Sequence, residues 1–198
     1  SEPAEGNAAL VLGDWSPNSR YLLFWDDPLM SASMLADGTP ARVWDSLTGT
    51  TQLITPPGEY SPETVALSNP GYHSWAPDSS ALAITLGGYR SAQANKWLAL
   101  VRPNSGAGTV AITNTEQIPG LVAWSPKGDL IAYAAVPAED VTPETVDGST
   151  LDNPAVAGRR IYLYEAQNGK HYRLENSESF QDAPMWSAIK ARVRSVAR

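Results

Sequence analysis

His73 and His171 are the only imidazoles in this chain, so base chemistry would have to start from them or from carboxylates. His73 lies two residues before Trp75 and shares its face of an inner strand. A histidine lining a channel there could bind a ligand or take a proton, whereas a structural histidine would simply find a hydrogen-bond partner. The structural role is expected. Asp26 and Asp27 form a carboxylate pair, but neighbours on a strand point to opposite faces, and solvation at a strand end is the expected role. Asp182 opens a later inner strand and could line the same mouth, but turn capping is its expected role. The segment 137–158 carries Glu139, Asp140, Glu144, Asp147 and Asp152 and no basic residue up to Gly158. Asp147-Gly148-Ser149 looks like part of a calcium loop, and Asp147 and Asp152 are its weak metal candidates. The six-ligand spacing of such a loop is absent, so a solvated excursion without metal is expected. Tyr89-Arg90 follows Gly87-Gly88 in a loop and is the exposed aromatic contact best suited to a partner. Trp25, Trp44, Trp97, Tyr133, Tyr162 and Tyr164 could stack on sugars, but their strand spacing predicts packing between sheets.

No Gly-x-Ser-x-Gly elbow, His-Glu-x-x-His helix or phosphate-cradling Gly-Lys-Ser/Thr loop occurs. The absence of cysteine removes thiol nucleophiles, disulfides and cysteine zinc sites. No catalytic residue and no cofactor is therefore assigned, and the chain is expected not to be an enzyme. A formal net charge of −7 argues against a nucleic-acid partner, although Lys190, Arg192, Arg194 and Arg198 make the tail basic. No apolar run reaches the ~20 residues of a membrane span, and no signal peptide is visible. The chain starts at Ser1, as expected of a processed product or an excised piece of a longer chain.

The elements that position these residues come from an internal repeat. Trp15-Ser16-Pro17-Asn18-Ser19 precedes Tyr21-Leu22-Leu23-Phe24-Trp25, Trp75-Ala76-Pro77-Asp78-Ser79 precedes Ala81-Leu82-Ala83-Ile84, and Trp124-Ser125-Pro126-Lys127-Gly128 precedes Leu130-Ile131-Ala132-Tyr133. Trp186-Ser187 opens a fourth copy, and the tryptophans are 60, 49 and 62 residues apart. Each tryptophan ends a strand. Ser-Pro then sets a turn, Asn, Asp or Gly supplies tolerance of positive φ, and the apolar run returns as the second strand. Third strands read as 41–45, 96–101 and 160–164, and fourth strands as 51–54, 109–112 and 171–174. The fold class is all-β, with β-propeller-type repeats of four-stranded antiparallel blades. Three complete blades (8–55, 71–114 and 120–175) and a truncated fourth (183–198) make one incomplete ring, a single domain over 1–198.

This pattern, with Ile161-Tyr162-Leu163-Tyr164 and Asn168-Gly169, resembles the TolB-like (WD-repeat-like) β-propeller repeat, and Gln181 to Ser187 is similar to the start of a further blade. The resemblance implies a binding or scaffolding module for protein or polysaccharide, in the periplasm, at the cell surface or secreted. It also admits the propeller part of a larger peptidase or glycosidase. Strand parity puts the first and third hairpins at one end of the blades. The longer connections 26–40, 56–70, 87–95, 137–158 and 175–182 fall at the other, which is the expected ligand face for Tyr89, Arg90, His73 and Asp182. An unfinished ring leaves two end faces, one with Val11, Leu22 and Phe24 and one with Ile161 and Leu163. These faces and the alternating basic tail 189–196 predict self-association, with a self-assembling subunit as a further alternative.

Overall fold

The structure, a computed structural model, describes residues 9–27, 38–54, 65–88, 96–106, 108–113, 115, 117–140 and 159–177. Within them, β1 (Ala9–Trp15), β2 (Tyr21–Asp27), β3 (Ala41–Asp45) and β4 (Thr51–Leu53) form the first sheet. The second is built from β5 (His73–Trp75), β6 (Leu82–Leu86), β7 (Trp97–Val101) and β8 (Thr109–Ile112). The third is built from β9 (Gln117–Trp124), β10 (Leu130–Pro137), β11 (Arg160–Glu165) and β12 (His171–Arg173). Each sheet is an antiparallel meander in chain order, the four-stranded blade of a propeller. Among the described residues no helix is long and apolar enough to cross a membrane.

Local chemistry explains the first hairpin of each blade. Backbone N–H groups of Ser16, Ala76 and Ser125 each donate to the carbonyl five residues on, all at 2.8 Å. The Ser16 and Ser125 hydroxyls accept from the N–H of Tyr21 (2.9 Å) and Leu130 (3.1 Å), while Ala76 keeps the turn through the backbone bond alone. Positive φ falls on Ser19, Ser79 and Gly128 rather than on Asn18 or Asp78. Asn18 instead uses its side chain, accepting from Ser16 Oγ and from the Arg20 N–H. This is an Asx-type turn that leaves the strained conformation to the next residue.

Blades pack face to face. β6 belongs to the middle blade, with a sheet on each side, and every one of its residues is buried; all but the first residue of β10 are buried too. Leu23, Trp25 and Val43 of the first blade meet Trp75, Leu82, Ile84 and Val101 of the second. Ala83 and Leu98 of the second meet Trp124, Ile131, Tyr133 and Tyr162 of the third. Trp75 (8 % exposed) stacks on Tyr21 with centroids 6.1 Å apart, and its Nε1–H donates to the Asp14 carbonyl at 3.2 Å. Trp124 is 9 % exposed. The tryptophans of blades two and three thus fill the seams, as their repeat positions predict.

The first tryptophan differs. Trp15 is 49 % exposed and packs edge-on against Trp44, because its face is the one that a preceding blade would cover. Val11 is corrected: it points to the second blade, and Leu10 and Leu12 take the open face with Leu22 and Phe24. The register jumps between Leu12 and Trp15, so Gly13 and Asp14 form a bulge that reverses the alternation counted back from Trp15. The other end is corrected too, since Ile161 and Leu163 are both buried.

Candidate functional site

The meander places the second hairpins and the links between blades at one end, and the described residues there include several buried polar groups. Three positions are equivalent by cross-strand register: Thr39, Lys96 and Arg159, each two residues ahead of an inward-facing residue of the third strand (Ala41, Leu98, Ile161). All three are buried, with Lys96 4 % and Arg159 8 % exposed. The Thr39 backbone exchanges hydrogen bonds with Ala66 of the link (3.1 and 3.0 Å). Lys96 Nζ donates to the carbonyls of Gly88 (2.9 Å) and Gly87 (3.3 Å), so it joins the described residues on either side of positions 89–95.

Burial pushes the Lys96 amine down to about 7, with the Arg159 charge acting in the same direction. The Arg159 guanidinium lies over Gly120 of β9, where an added Cβ would stand 3.6 Å from Nη2. The Gly120 carbonyl accepts from Thr85 Oγ1, and Tyr133 O–H donates to Gln117 Oε1 at 2.8 Å. Among the described residues, neither Lys96 nor Arg159 forms an ion pair with a carboxylate, whereas the adjacent Arg160 pairs with Asp140 at 3.2 Å.

His73 sits in the seam between blades one and two, its ring tilted against Trp25 at 5.3 Å. Its Nε2 lies 3.1 Å from Asp14 Oδ2, and Nδ1 has no partner among the described residues. Burial lowers its affinity for a proton, and Asp14 only partly offsets this, so the ring is neutral at neutral pH. A carboxylate and an imidazole at this distance form the orienting half of a catalytic triad. The contact joins two inner strands, β1 and β5, and among the described residues no hydroxyl bonds to the ring. Asp26 and Asp27 point to opposite faces as expected, but neither is merely solvated. Asp26 pairs with Arg42, and Asp27 is buried.

Tyr89, Arg90, Asp147, Asp152 and Asp182 lie outside the described residues. Of the aromatic set, Trp25, Tyr133, Tyr162 and Tyr164 are buried and Trp97 packs against the first seam. Lys96, Arg159 and Asp14 went unread in the sequence. Aligning the repeats by strand register, rather than by the tryptophan motif, would have exposed the first two as one recurring buried position.

No family model matches the chain, and no curated protein matches it in sequence. Solved structures do. A prolyl endopeptidase superposes with a TM-score of 0.56 at 12 % identity, over 87 % of this chain and 22 % of that one. Puromycin hydrolase gives 0.52 at 14 %, over 89 % and 22 %. TolB from Acinetobacter baumannii gives 0.48 at 14 %, over 87 % and 34 %. The fold is that of a β-propeller module, with four-stranded antiparallel blades packed face to face. It spans a fifth to a third of the length of these three structures.

Proposed function

We propose that this module is non-catalytic and binds protein or polysaccharide, outside the cytoplasm, through the end where the long connections gather. One observation carries the reading: the described residues that flank the connections at this end include buried polar anchors, above all Lys96 on the Gly87 and Gly88 carbonyls. Rigid blades with firmly held loop bases are how a scaffold presents recognition residues at little entropic cost. Arrays of neutral, acidic and basic polysaccharides, together with surface capture of extracellular proteins, should reveal a ligand. Tyr89→Ala with Arg90→Ala should weaken it by tenfold or more, about 1.4 kcal/mol, without moving Tm. Turnover of peptide or glycoside substrates by the purified chain would overturn the non-catalytic reading.

A second reading, a self-assembling subunit, rests on the open face of the first blade, where Leu12 is 69 % exposed beside Trp15. The equivalent faces of blades two and three are each covered by a blade of this same chain, so a sheet from a second copy is the occupant of matching chemistry.

A further inference from the structure

The first blade has two faces, and the second blade covers one of them. On the other side lie Leu10, Leu12 and Trp15, which are 60, 69 and 49 % exposed, with the half-buried Leu22, Phe24 and Trp44. Strand register identifies the kind of face this is. Trp15 pairs with Leu22 as Trp75 pairs with Leu82 and Trp124 with Ile131. Leu22 continues to Trp44 as Leu82 continues to Val101 and Ile131 to Tyr164. In blades two and three every one of these residues is buried in a seam against the sheet before it. The open side of the first blade is thus a third seam face, continuous in chemistry with the two that already receive a sheet.

Among the described residues, a second copy has one blade face to offer such a site. The far side of the third blade is closed, because Ala132, Ala134, Ile161 and Leu163 are all buried, and the seams occupy the faces between. That leaves the open face of the first blade itself. Charge agrees with this choice. Asp26 and Arg42, the charged residues of β2 and β3 on this side, bond to each other, so the face can meet its own copy without setting unpaired like charges together. Elsewhere the chain, with its formal net charge of −7, repels a second copy. We propose that two chains pair through this face about a two-fold axis, first blade against first blade, as a sandwich of two sheets ~10 Å apart. This deepens the self-assembling reading and rests on it. An interface in which the same patch serves both partners closes at two chains, whereas head-to-tail contact would continue.

Sedimentation equilibrium of the full chain, over micromolar to submillimolar concentrations, tests the pairing. The mass should rise from one chain to two and stop there. Leu10→Glu and Leu12→Glu should each weaken the dimer at least tenfold while keeping the wild-type circular dichroism, since both side chains are exposed in the single chain. Leu47→Glu and Tyr172→Lys change exposed apolar residues away from this face and should leave the dimer as it is. Raising sodium chloride from about 50 to about 500 mM should tighten the dimer, because it screens repulsion between the two acidic bodies. A single-chain mass at every concentration would overturn the proposal and the self-assembling reading together. Growth beyond two chains, or loss of association in Tyr172→Lys, would mean head-to-tail contact and overturn the two-fold pairing alone. Association that salt weakens and Leu12→Glu leaves intact would overturn this face and assign the contact to the basic tail on an acidic body.

Discussion

Replacing Lys96 with methionine should flatten the pH dependence of stability on the alkaline side. In the unfolded chain the amine titrates near 10.5, and in the fold near 7. Between those values the unfolded state binds the extra proton, so wild-type stability must rise with pH across that window and be lowest, and constant, below about pH 6. The difference corresponds to a penalty of roughly 4 kcal/mol at pH 7 and roughly 2 kcal/mol at pH 9, at about 1.4 kcal/mol per pH unit. Methionine keeps the aliphatic stem but strands the Gly87 and Gly88 carbonyls, at a cost of ~1–3 kcal/mol. Absolute stability at one pH therefore mixes two effects, whereas the slope isolates the amine. Urea unfolding in chloride buffers from pH 6 to 10 should show wild type gaining ~2 kcal/mol on the variant between pH 7 and 9. Parallel curves would refute the assignment of a desolvated amine.

Three other outcomes follow from the packing. Trp124→Ala should cost about 3–5 kcal/mol in denaturant unfolding, and Trp15→Ala clearly less, because only the former fills a seam. Asp45 receives two hydrogen bonds from Arg20 (2.9 and 2.7 Å), which hold its carboxyl well below the ordinary 3.8. Stability from this pair is present above that value and lost as pH falls below it, so Asp45→Asn should lower stability at neutral pH and flatten the acid limb of the unfolding curve. Leu12→Glu should shift any concentration-dependent sedimentation of wild type toward monomer, and identical profiles for both proteins would remove the open face as an assembly surface.

The blade pattern was legible because its signals are local. Trp-Ser-Pro, a turn residue and an alternating run specify a hairpin without reference to anything distant, and their recurrence implies sheets that stack. Sequence alone therefore determined the strands, their antiparallel order and the burial of Trp75 and Trp124. It also determined which connections share an end of the blades, since that follows from counting strands. Tertiary structure decided the rest. The bulge at Gly13–Asp14 depends on how β1 pairs with β2, and it alone sends Val11 to one face and Leu12 to the other. The burial of Ile161 and Leu163 could not be read from their own strand, because alternation says which side a residue faces and not whether that side is covered. Lys96 and Arg159 look like ordinary strand-flanking charges in the sequence. Only the folded structure buries both, and burial then lowers the proton affinity of the Lys96 amine.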